Sequence, residues 1–176
     1  MGRIKTLFLC FMLYSALGWL YESTLYTITE RRFVNRGFLN GPYCPIYGVG
    51  AVMNLFILSS LDNALFLFFG GALLDCTLEY VSSWRMEKLF HARWWDYSQR
   101  RFHLHGRICL LGAVVFGAFS VFLILLMHPL FSNLFSLLPG TAKEILLWSV
   151  LVLFLADSFY TLLGHSVQPS APGIHL

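Results

Sequence analysis

The sequence predicts an all-α fold: a polytopic transmembrane helix bundle of about five spans, with a short or broken second span. Three observations predict it. Residues of the AVILMFWYC set make up 57% of the 176 positions and charged residues 12%, where a soluble domain carries about 25% charge. The mean hydropathy is +0.67. Five apolar stretches also reach, or nearly reach, the roughly 20 residues that a helix needs to cross about 30 Å of hydrocarbon. So little charge cannot cover a globule of 20.1 kDa. A soluble enzyme, a nucleic-acid binder and a disordered regulator are excluded on that ground.

The first span is expected from about Leu7 to Ile28. Its apolar run is too long for a signal-peptide core and ends in no small-x-small cleavage site, so it reads as a retained helix. The second, from about Pro45 to Ser60, is short and opens with Pro45, Gly48 and Gly50. It either spans or begins as a broken, re-entrant segment packed inside the bundle. The third is expected over Ala64 to Trp84, the fourth over Ile108 to Phe131, and the fifth over about Glu144 to Leu163. Residues 1–167 are taken as one bundle and 168–176, rich in proline, as a disordered tail. The four cysteines form no C-x-x-C, which leaves them as ordinary buried or lipid-facing thiols.

Orientation follows from the basic residues. Loop one holds Arg31, Arg32 and Arg36, and loop three holds Arg85, Lys88, Arg93, Arg100, Arg101 and Arg107, which is nine of the twelve. The positive-inside rule therefore places loops one and three in the cytoplasm.

Acids inside apolar spans need a cation or water, because a charge near the bilayer centre costs several kcal/mol. Glu22 lies in the first span, three residues after Trp19 and on the same helical face. Asp75 and Glu79 share a face of the third. Asp157 and His165 belong to the fifth, where helix glue is the preferred reading. Under the proposed orientation Glu22, Glu79, Arg36 and Arg107 meet near the cytoplasmic interface as one polar cluster, which either holds the bundle shut or receives a charged group of a substrate.

Two loops carry the remaining candidates. In loop one, Gly37, Gly41, Pro42, Pro45, Tyr47 and Gly48 suit a structured hairpin, since the glycines and prolines fix turns. In loop three, Trp94, Trp95 and Tyr97 suit the headgroup layer, and Asp96 between them needs water or a cation. Gly106 belongs to the turn before Arg107. His103 and His105 alone are a weak metal set. No G-x-x-x-x-G-K-[ST], H-E-x-x-H or G-x-S-x-G occurs in the sequence. No catalytic set, metal or cofactor is expected, and the chain is not an ATPase of the P-loop type.

Gly18-Trp19 with Glu22, RGFLNGPYCPIYGVGA from Arg36 to Ala51, LEYVSSWRMEKLFHARWWDYS from Leu78 to Ser98 and GRICLLGAVVFG from Gly106 to Gly117 carry a resemblance. In order and spacing the chain resembles the ABC-transporter type IV family of bacterial integral membrane proteins, the CmpB-like permeases. The resemblance implies a multi-pass protein of the cell (cytoplasmic) membrane and a transport component. It marks Trp19, Glu22, Arg36, Glu79, Tyr80, Trp95, Asp96, Tyr97 and Arg107 as motif positions, together with the loop glycines and prolines. A separate ATPase subunit follows if the protein is of ABC type. Five helices are few for a solitary pathway, so a homodimer or another membrane subunit is expected beside membrane lipid, and no nucleic acid. A membrane-embedded enzyme acting on a lipid or lipid-linked substrate and an accessory or scaffold subunit are the competing readings.

Overall fold

The computed structural model describes residues 3–167, so the tail expected at 168–176 lies outside the described residues. The fold is all-α. The helices are α1 (Arg3–Glu30), α2 (Pro45–Ile57), α3 (Ala64–Phe90), α4 (Leu110–Leu137) and α5 (Gly140–Val167). Four of them are long and apolar enough to cross a membrane, and α2, at 13 residues, is not. Between α3 and α4 a two-residue hairpin pairs β1 (His103–Leu104) with β2 (Ile108–Cys109). Outward faces are apolar: Leu65, Phe66, Phe69 and Leu73 on α3 and Val152, Leu155 and Phe159 on α5 are exposed. Water does not favour such surfaces and lipid does. The protein is a multi-pass membrane protein.

Helix ends follow capping chemistry more than hydropathy. α3 starts where the Asn63 side chain accepts the Leu65 amide at 2.8 Å, a standard N-cap. It runs six residues past Trp84, to a left-handed His91 whose amide returns to the Glu87 carbonyl at 2.9 Å. α2 opens on Pro45, whose missing amide hydrogen is no loss at a first helical position. In α4 the turn Leu123–Met127 is π-helical. Pro129 supplies the cause: it donates nothing to the preceding turn and its ring crowds a carbonyl there, so the helix widens.

Two compact units divide the described residues, 3–52 with 132–167, and 53–131. In the first, Met12, Leu39 and Tyr43 form a core with Phe8, Phe11, Phe38, Val150 and Phe154. Loop one retraces α1 from its end towards its middle. The Val34 amide donates to Thr27 Oγ1 at 3.1 Å, the Arg36 amide to Ser23 Oγ at 3.1 Å, and the Cys44 amide to the Ser15 carbonyl at 2.9 Å. From Thr27 to Ser15 is roughly 18 Å of helix rise. The second span is thus irregular chain for one half and α2 for the other. Irregular backbone survives at that depth only where protein satisfies its polar groups, and these bonds satisfy them.

In the second unit α3 and α4 pack closely. A Cβ at Gly71 would fall on the Ser120 side chain, and one at Gly117 would come within 2.7 Å of the Phe68 carbonyl. Small residues at these positions let the two backbones approach.

Candidate functional site

In the first unit the site forms where loop one lies on α1. A Cβ at Gly18 would overlap the Tyr47 ring. Its absence lets Tyr47 lie along α1, and the phenol donates to Glu22 Oε1 at 2.8 Å. Glu22 Oε2 stands 3.8 Å from Arg36 Nε. The Arg36 guanidinium, 4.0 Å above the Tyr26 ring, is buried, so its charge meets a carboxylate and an aromatic face together. Trp19 donates its indole hydrogen to Asn35 Oδ1 at 2.5 Å. Cys44, also buried, donates its thiol to the Arg36 carbonyl at 3.3 Å. Gly37 adopts φ +139, where only glycine sits without strain.

The other side of loop one is tied to α5. Asp157 Oδ2 accepts the Gly41 amide at 2.9 Å and the Tyr43 hydroxyl at 2.8 Å, while Asn40 donates to Thr161 Oγ1 at 2.7 Å. Asp157 is therefore the anchor of the irregular half-span. The turn beside it, Gly41-Pro42, and the helix start at Pro45 and Gly48 are scaffold.

The second unit assembles loop three on α3. Glu79 is buried and accepts the Tyr97 hydroxyl at 3.0 Å. Arg107, also buried, reaches Ser83 Oγ at 3.1 Å and pairs with Glu87, which Arg93 also approaches at 3.3 Å. Trp95 donates to the Arg107 carbonyl at 3.1 Å. Asp96 accepts the Ser98 amide at 2.9 Å and hydroxyl at 2.6 Å, with Arg93 3.9 Å away. Gly106, at φ +68, has room for no Cβ beside Asp96 and Ser98. His105 Nδ1 lies 3.0 Å from the Tyr80 hydroxyl, and His103 Nδ1 accepts the Gly106 amide at 3.1 Å. Both imidazoles thus serve the hairpin. Among the described residues no three His, Cys, Asp or Glu converge on a metal position.

Deeper in α3, Asp75 meets Asn54 of α2 and Ser120 of α4. Asp75, Glu79, Ser83 and Glu87 follow one another at four-residue steps and so form one polar stripe on α3. The sequence pattern marks the first two. Glu87, Ser83, Asn54 and Ser120 are additions of the structure. The four-residue spacing is the signal that could have found Ser83 and Glu87, and a third span ending at Trp84 cuts it short.

A family model described as "Putative ABC-transporter type IV" matches residues 9–162. Neither curated proteins nor solved structures gave a match.

Proposed function

The chain belongs to the family of ABC-transporter type IV membrane proteins, and on that premise we propose that it is the permease component of a transporter whose ATPase is a separate chain. The observation that carries this reading is the interrupted second span, where irregular backbone sets the buried Arg36 against the half-buried Glu22. Membrane transporters characteristically build their sites from discontinuous helices, because broken backbone presents polar groups that an intact helix has already used. A protein built only to anchor or scaffold has no need of a buried arginine paired within a span and a half-span held by side chains from two helices.

In this reading Glu22, Arg36, Trp19 and Tyr47 are the pathway groups of the first unit. Asp75, Glu79, Trp95, Asp96, Tyr97 and Arg107 are those of the second. Loops one and three, with nine of the twelve basic residues, face the cytoplasm, where an ATPase subunit is reached. A second copy or another membrane subunit completes the pathway.

The test is purification from native membranes in mild detergent, with mass spectrometry of co-purifying proteins and lipids. A nucleotide-binding subunit in stoichiometric amount, whose ATP hydrolysis in liposomes depends on this chain, is expected. Recovery of the chain without such a subunit from membranes that contain one would sink the permease reading.

A further inference from the structure

Asp75 stands 11 residues beyond the start of α3, roughly 17 Å along a helix of about 40 Å, and so deep in an apolar span. Asn54 Nδ2 donates to both its oxygens, at 2.9 Å to Oδ1 and 3.1 Å to Oδ2. Ser120 Oγ lies 3.2 Å from Oδ2 and 2.9 Å from the Phe116 carbonyl. Asn54 and Ser120 are each 1% exposed. Gly71 leaves Ser120 the place a Cβ would occupy, and α4 opens into its π-helical turn three residues later, an irregularity that recurs at functional sites.

A serine hydroxyl has one hydrogen, and here two acceptors compete for it. Turned to Oδ2, it completes a set of donors around a charged carboxylate. Turned to the Phe116 carbonyl, it leaves an oxygen lone pair facing Oδ2 at hydrogen-bonding distance. That arrangement suits a protonated Oδ2, which then donates to Ser120. The same heavy-atom positions satisfy both charge states, and only one hydroxyl rotates between them. Among the described residues no ion pair reaches Asp75. Its titratable neighbours on α3 are Cys76 and Glu79, while α2 and α4 face it with the uncharged Asn54 and Ser120. A metal cation fits poorly, because Asn54 turns its amide hydrogens to both carboxylate oxygens.

We propose that Asp75, held between Asn54 and Ser120, is an intramembrane proton-binding site, and that its proton is coupled to the transport proposed above, on which this second half rests. Uptake takes one proton from water, forms one O–H bond at Oδ2 and makes the carboxylate neutral. Nothing is oxidised and no other bond breaks.

The experiment is infrared difference spectroscopy of the full chain in lipid bilayers, titrated between about pH 4 and pH 9. Wild type is expected to show a protonated-carboxyl band on acidification that Asp75→Asn lacks. Asn54→Ala removes a donor that both charge states accept and that the charged form accepts more strongly, so the band midpoint should rise by about one to two pH units. Ser120→Ala removes the partner of the new O–H and should shift the band frequency. The last two variants carry the test if Asp75→Asn fails to fold. An Asp75→Asn spectrum identical to wild type overturns the site, as does a midpoint unmoved by Asn54→Ala in folded protein. Loss of the band when sodium replaces choline at constant pH overturns the proton in favour of a metal ion. A rate of chain-dependent ATP hydrolysis in liposomes whose pH dependence survives Asp75→Asn overturns the coupling and leaves the site. Failure to find an ATPase subunit bears on the permease reading and does not touch the spectrum.

Discussion

The amide of Cys44 donates to the carbonyl of Ser15 at 2.9 Å, near the middle of α1. That bond fixes how far loop one descends along α1 before α2 begins. Ser15 is fully buried there, and its own hydroxyl donates to the Phe11 carbonyl at 2.7 Å. The start of α2 is thereby set against the middle of a long span and not at its end, which is what leaves Glu22 and Arg36 beside irregular chain.

Gly48 is the position where this arrangement tolerates least. A Cβ there would fall on the Ser15 hydroxyl and the Phe11 carbonyl, and backbone cannot move aside. Gly48→Ala should therefore destabilise the protein by about 1–3 kcal/mol, the range for overpacking. At Gly164 a Cβ would meet nothing within 4 Å among the described residues, so Gly164→Ala should be neutral or stabilise by up to about 1 kcal/mol through helix propensity. Thermal unfolding of both variants in one detergent checks the pair. Equal midpoints would mean that α2 does not seat on α1 as described.

Asp157 should prove to be the anchor of loop one. Asp157→Ala removes the acceptor of the Gly41 amide and the Tyr43 hydroxyl, at about 2–3 kcal/mol for hydrogen bonds to a charged group. Tyr43→Phe removes one of those bonds, at about 1 kcal/mol. Limited proteolysis within residues 31–44 reports release of the loop, with cleavage fastest in Asp157→Ala, intermediate in Tyr43→Phe and slowest in wild type.

The number of helices and the weakness of the second span are legible in the sequence, because hydropathy over 20 residues and the Pro45, Gly48 and Gly50 cluster are local signals. The path of loop one is not. It depends on Ser23 and Thr27 offering hydroxyls to a backbone that passes them, and nothing in a serine's local sequence announces a distant partner. Charge pairing is legible in kind, since buried acids and arginines need one another, but the Glu87 partner of Arg107 is not. Arg107 reaches Glu87 because α3 continues past the apolar stretch to His91, and that extension is set by a cap, not by hydropathy. Asp157 reads as ordinary helix glue in isolation; its weight comes from the Gly41 amide that only the fold brings to it.

The thiol of Cys44 reports whether loop one is sealed. Its side chain is buried and its hydrogen is committed to the Arg36 carbonyl. Maleimide needs access to the sulfur, and burial withholds it. At pH 7–8 a single-cysteine variant retaining Cys44 should therefore resist maleimide until the protein is denatured. Rapid labelling of the native protein at that pH would place loop one in water and away from Ser15.

Glu22 and Arg36 supply the prediction that bears most directly on the site. Their contact is a 3.8 Å ion pair, with side chains 27% and 10% exposed, so Arg36 is the partner that water cannot rescue. Glu22→Gln leaves the Arg36 guanidinium without the opposing charge, beside the Tyr26 face, at about 3 kcal/mol, the lower end for a broken buried pair, because Glu22 is partly wet. Arg36→Leu leaves a carboxylate that still accepts the Tyr47 hydroxyl and reaches water, so it should cost less than Glu22→Gln. The double variant removes both charges and should recover most of the loss, as desolvated pairs replaced together often do. Arg36→Lys keeps the charge but loses the planar stack on Tyr26, and should not restore wild-type stability. Thermal unfolding of the four variants in one detergent closes the cycle. A coupling free energy below about 0.5 kcal/mol, within the range of independent sites, would show that the two charges do not hold each other and that Arg36 is stabilised by the aromatic face alone.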